Sequence, residues 1–284
     1  MATPITGSKA ESGELRRANA VAELAEHIAM AKFGGERVSP EEIADAEGIA
    51  FRYDSFPEEF DGILLYESGK FMIVCNERRG VRGSTRSRFT FAHELGHYFI
   101  DEHRQALSSG KMPLHFSLAE FVSDQPVEKQ ADLFAANLLM PGGAFRRKAA
   151  DLDCGMNAVS WLSSVYGTSL TATAYRAIQL DTMPAPSAIF RWKRDGKHAG
   201  HRISPTTFTM HPGYRSMTDT IPKGSVTEKA AAKFDLGVSK SITDCAQWFP
   251  WVKPDDARNV TLIEETMGIG QYGWITLLYR NIAG

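Results

Sequence analysis

Five residues, His93-Glu94-Leu95-Gly96-His97, restrict this chain more than any other stretch. They lie inside the apolar run Phe89-Thr-Phe-Ala-His-Glu-Leu-Gly-His-Tyr-Phe-Ile100, which reads as a buried helix. On a helix, positions i and i+4 share a face, so both imidazoles can address one metal ion. Glu94 falls beside them, off the ligand axis, where its carboxylate can take a proton from an attacking water. Such a pentapeptide also occurs by chance in ordinary helices. Burying two histidines and a glutamate without partners is costly, however, and a metal ion supplies the partner.

A hydrolytic zinc site holds three protein ligands and leaves one position open, so a third ligand is needed. Two residues can supply it. The spacing of His93, His97 and His103 is that of the metzincin pattern. That pattern places Gly where this chain has Ile100, because the backbone must turn sharply out of the helix. Asp101-Glu102-His103-Arg104 reads instead as a polar helix end, with His103 a solvated imidazole upon it. The favoured ligand is Glu128, in the first turn of a helix that begins after Pro126 and stops at Pro141. Apolar residues at 131, 134, 135, 138 and 139 give that helix its period. Asp132, one turn on, shares the face of Glu128 and is placed to hold a ligating histidine in one tautomer. The ion expected is Zn2+, with Mn2+ as the alternative, because mixed histidine and carboxylate sites select weakly.

The two segments together, Arg88-Phe-Thr-Phe-Ala-His-Glu-Leu-Gly-His97 and Glu-x-x-Ala-Asp-x-Phe-Ala-Ala-x-Leu-Leu-Met-Pro141, resemble the ImmA/IrrE metallopeptidases. The resemblance spans roughly residues 15–180 and includes the extended segments Gly62-Ile-Leu-Leu-Tyr66 and Phe71-Met-Ile-Val-Cys-Asn76 ahead of the metal helix. It implies a cytosolic endopeptidase of bacterial or phage origin. It also implies the substrate, a helix-turn-helix repressor whose inactivation switches on a stress or mobile-element programme.

With 284 residues, 43% hydrophobic and 23% charged, the chain has length and apolar content for two domains. A net charge of −2 gives no global field for nucleic acid. Cys75, Cys154 and Cys245 are scattered, as in a reducing compartment, and no leader or membrane-spanning run is evident. A cytoplasmic protein without a membrane partner is expected. Residues 1–13 read as a flexible tail and 14–33 as a helix closed by Gly34-Gly35. Ser39-Pro-Glu-Glu42 starts a second helix, and a strand is expected over 49–53. The arginine-rich loop 77–88 reads as a solvated loop, with an electropositive rim for an acidic substrate as the other reading. Residues 104–127, which include His115, read as an irregular connection of the kind that forms lids.

Downstream, 156–166, Gly167 and 168–180 read as helix, turn, helix. The second helix carries one Arg and no Lys, a weak footprint for DNA, so a structural role is favoured and direct nucleic-acid binding stays open. Tyr175 on it is a candidate oxyanion donor, weighed against an ordinary packed tyrosine. After the linker Met183-Pro-Ala-Pro186 the pattern turns to strands. A hairpin is expected around Asp195-Gly196, a second strand pair around Gly268 to Gly273, and a helix over 229–236. Trp248, Phe249 and Trp251 read as core, with a ligand pocket as the other possibility. By position this part resembles the GAF-like sensor domain of IrrE-type proteins.

The expected fold is thus α+β: a mainly helical zincin-like core with a small sheet over 14–152, a helix-turn-helix segment over 153–183, and an α+β domain over 184–284. The expected chemistry is peptide hydrolysis, with His93, His97 and Glu128 on the metal and Glu94 as the base. The rival from another class is a regulator that keeps the metal fold and acts by binding DNA or a repressor. Intact Glu94 speaks against it.

Overall fold

The structure is a computed structural model, and it describes residues 9–57, 59–110, 125–210, 212–215, 218–253 and 260–282. The chain divides into two compact units. The first comprises residues to Ala144 together with Val165–Thr168, and the second Phe145–Ser164 together with the residues from Ser169 on. Among the described residues no helix is long and apolar enough to cross a membrane.

The first unit opens with α1 (Lys9–Phe33) and α2 (Pro40–Glu47). Ser39 caps α2 by accepting from the Glu42 amide, and Gly48 closes it in the left-handed conformation. Three short strands follow, β1 (Ala50–Asp54), β2 (Gly62–Glu67) and β3 (Lys70–Asn76). Their order is β1-β3-β2: β2 and β3 form an antiparallel hairpin, and β1 joins β3 in parallel. Ser68 and Gly69, both at positive φ, make the hairpin turn. The sheet packs on α3 (Thr85–Phe99), which is capped by Ser84. The chain continues through α4 (Asp101–Ser108) and α5 (Pro126–Leu139) into the start of α6 (Gly142–Ala150). α5 lies between α1 and α3, and Val21, Ala25, Ala29, Phe91, Leu95, Phe134 and Leu138 join one core cluster.

The helix that carries the histidines does not run on as a polar end. It stops at Phe99, and Ile100 takes an extended conformation, φ −78° and ψ 109°, before α4 begins. No glycine is needed, because the chain turns through the β region, which a β-branched residue occupies readily. His103 therefore lies in the first turn of a new helix and is buried, not solvated.

The arginines of loop 77–88 are largely engaged. Arg86 grips buried Asp61 with two hydrogen bonds of 2.7 and 2.9 Å, and Arg79 approaches the same carboxylate. Arg82 lies over the Tyr53 ring. Arg88 is buried and donates to the carbonyls of Val38 and Gly167 at 2.7 and 3.1 Å. Those bonds tie residues 165–168 into the first unit. Of the connection expected over 104–127, α4 accounts for the start, and residues 111–124, His115 among them, lie outside the described residues.

The second unit holds most of α7 (Met156–Tyr166) and all of α8 (Leu170–Gln179), the helix pair about Gly167. Its sheet consists of β4 (Ala188–Trp192), β5 (His198–Ile203), β6 (Val238–Asp244), β7 (Thr261–Gly268) and β8 (Trp274–Arg280). The order is β5-β4-β8-β7-β6, antiparallel throughout. Short helices α9 (Pro205–Met210), α10 (Val226–Lys233) and α11 (Cys245–Trp248) accompany it. Phe190, Trp192, Trp248, Phe249 and Trp274 fill its core, while Trp251 is 70% exposed. The architecture is α+β, a helical core with a small sheet followed by a sheet-centred part.

Candidate metal centre on α3 and α5

α3 and α5 cross closely because of Gly96. A Cβ at that position would come 3.1 Å from the Ala131 Cα and 3.2 Å from its carbonyl oxygen. A methyl there would be tight, and the two backbones would have to give by a few tenths of an ångström. The crossing sets the first turn of α5, with Glu128, opposite His93 and His97 on α3.

Three buried side chains then meet. His93 Nε2 and His97 Nε2 are 3.1 Å apart. Glu128 Oε2 lies 3.3 Å from His93 Nε2, and Glu128 Oε1 lies 3.2 Å from His97 Nε2. Two ligand atoms each 2.0–2.1 Å from a tetrahedral zinc are about 3.3 Å apart, so this triangle has the size such an ion requires. The donor set, two imidazoles and a carboxylate, also suits zinc or a similar divalent ion. Among the described residues this is the one group of three or more His, Cys, Asp or Glu side chains with such spacing.

Asp132, one turn along α5, stands with Oδ1 2.8 Å from His93 Nδ1. A proton on Nδ1 directed at that carboxylate leaves the Nε2 lone pair facing the triangle. Without an ion the two histidines differ. Burial disfavours a charged His93, but the hydrogen bonds it donates to Asp132 and Glu128 outweigh this and carry its pKa up to about 10. Burial dominates at His97 and pushes its pKa down to about 4 despite Glu128. The metal-free site therefore keeps one extra proton, on the imidazole that touches both carboxylates.

Glu94 is buried on the neighbouring flank of α3. It packs against Gly62, the first residue of β2, where a Cβ would lie 2.8 Å from Glu94 Oε1 and 2.5 Å from the Thr90 methyl. β2 is an edge strand of the three-stranded sheet. The glycine thus lets a sheet edge begin beside the carboxylate, a feature that spacing along the sequence did not signal. His103 comes near without joining the triangle. Its ring centroid is 5.2 Å from that of His97, and its Nε2 is 3.2 Å from Gln130 Oε1. Tyr175 belongs to the second unit, where Arg202 lies 5.8 Å from its ring and Gly200 passes close to its hydroxyl.

Two histidines one turn apart and a glutamate from an adjoining helix form a group that could hold a metal ion, with a second glutamate beside the first histidine. Residues 44–177 match the family model for the IrrE N-terminal-like domain of the M78 peptidases. Among solved structures, a Mycobacterium tuberculosis transcriptional regulator superposes with a TM-score of 0.59 at 15% sequence identity. The superposition covers 93% of this chain and 78% of that one, a likeness of fold. No curated protein matches the chain.

Proposed function

We propose that the chain is a metal-dependent endopeptidase whose substrate is a protein, specifically a helix-turn-helix repressor. The observation that carries the hydrolytic reading is the triangle of His93, His97 and Glu128, with Glu94 buried beside it. When bound, a divalent ion would polarise the scissile carbonyl and make water acidic enough to attack it. His93, His97 and Glu128 hold that ion, and Asp132 keeps His93 turned toward it. Glu94 takes a proton from the attacking water and delivers it to the amine nitrogen as the carbon–nitrogen bond breaks. An extended segment laid along the β2 edge passes the Glu94 carboxylate and can pair its main chain there.

The repressor as substrate is supported by the family match and by the fold shared with a transcriptional regulator. A cytoplasmic setting agrees with three cysteines that are free. For the part beyond residue 184 the proposed role is to sense a signal or help select the substrate. The rival reading, direct action on DNA, loses ground on α8: Arg176, its one basic residue, is buried and bonded to Gln179.

The test is co-expression with the helix-turn-helix repressors of the same genome, each in turn. Wild type is expected to cut one of them. Glu94→Gln should keep fold and metal yet slow cleavage by roughly 10²- to 10⁴-fold, the scale of a lost general base. Cleavage by that variant at the wild-type rate would remove Glu94 from the reaction.

A further inference from the structure

A second pair of imidazoles faces each other in the other unit. On β5, an edge strand of the five-stranded sheet, His201 Nδ1 lies 3.2 Å from His198 Nε2. Side chains three positions apart on a regular strand point to opposite faces. Here the strand is not regular. Pairing runs from Arg191↔Gly200 to Trp192↔His198, so Ala199 is an extra, unpaired residue. Gly200 adopts φ +135°, a conformation that disfavours a side chain, and Arg191 donates to the Ala199 carbonyl at 2.9 Å.

The extra residue turns both imidazoles onto the face of Phe190 and Trp192. His198 lies 5.5 Å from the Trp192 ring and His201 lies 5.9 Å from the Phe190 ring. Both aromatic rings are fully buried in the core, so they form a fixed floor under the pair. Nearby cations are occupied elsewhere: Arg202 stacks on Tyr175, and Lys197 pairs with Asp195 at 2.9 Å.

We propose that His198 and His201 form a second metal site, a two-imidazole clamp for a late first-row divalent cation such as Cu2+, Ni2+ or Zn2+. Two nitrogens about 2.0–2.1 Å from one ion are about 2.9 Å apart in square-planar geometry and about 3.3 Å apart in tetrahedral geometry. The 3.2 Å observed falls between them and repeats the facing nitrogens of the α3 pair. His201 is exposed, so the ion has access and its remaining positions are open to water or another ligand. No third His, Cys or carboxylate among the described residues completes the set, so this site is the weaker of the two and the more exchangeable.

All five tryptophans, at 161, 192, 248, 251 and 274, belong to the second unit, and Trp192 lies under the pair. Full-length protein is loaded with one equivalent of Zn2+ and then titrated with Cu2+ while tryptophan emission is followed. A saturable quench is expected, with one further ion bound per chain. His201→Ala should weaken it about tenfold or more, the scale on which metal sites respond to altered surroundings. His201→Gln retains a hydrogen-bonding partner for His198 but is a poor ligand, so it should lose the quench and keep the wild-type melting temperature. Quenching by Cu2+ that is unchanged in both variants would overturn the proposal. So would a wild-type protein that binds no second ion, since the pair would then be only a hydrogen bond between neutral rings.

Discussion

At the scale of single residues, the site depends on where each group holds its proton. His93, His97 and Glu128 were legible because helical spacing and helix-start signals report faces, and the structure brings those three side chains together. The burial of His103 was not legible, because one extended residue, Ile100, redirects the chain. Asp132→Ala should weaken metal binding by about 10- to 100-fold, since the proton on His93 would lose its anchor. Competition binding with a chromogenic chelator measures this, and unchanged affinity would show that Asp132 does not orient the ring. A pH dependence follows from His93. With its pKa up at about 10, the metal-free imidazole holds a proton on the nitrogen that the ion needs. Metal and proton compete for one lone pair, so raising the pH strengthens binding, by about tenfold per unit between pH 6 and 8. Affinity that is flat across that range would contradict a protonated His93.

Elements were legible where they carry a local period or a cap. α2 with its Ser39 cap, the hairpin about Ser68 and Gly69, and α5 between two prolines all follow from such signals. β6 was missed: Val238, Lys240, Ile242 and Asp244 are exposed along an edge strand, so burial imposes little alternation on its sequence. The close approach of α3 to α5 was equally hidden, since Gly96 resembles any helix glycine until Ala131 is set against it. Gly96→Ala would ordinarily favour a helix by up to about 1 kcal/mol. Here the added methyl meets backbone that cannot rotate away, so the helices must part by tenths of an ångström. Metal affinity is expected to fall about tenfold, or about 1.4 kcal/mol. Arg88→Met should lower unfolding free energy in urea by about 2–4 kcal/mol, because buried carbonyls of Val38 and Gly167 lose their donor. A loss below about 0.5 kcal/mol would mean that those carbonyls find other partners.

Across the whole molecule, the first unit is discontinuous: residues 165–168 join it although the segment before them belongs to the second. Arg88 supplies the physical reason, binding main-chain oxygens 79 positions away, and no local pattern announces such a bond. Because every tryptophan belongs to the second unit, emission reports that unit alone, whereas the helical signal draws also on α1 to α5 of the first. One equivalent of Zn2+ should raise the temperature at which helical circular dichroism is lost, by linkage to binding. Tryptophan emission should shift less, and equal shifts would mean that the units unfold together. The central claim is that His93, His97 and Glu128 hold the catalytic ion. Metal analysis of purified, dialysed protein tests it most directly. Wild type and His103→Ala should carry about one zinc or manganese per chain, and Glu128→Ala should carry almost none. An ion kept by Glu128→Ala and lost from His103→Ala would contradict the account.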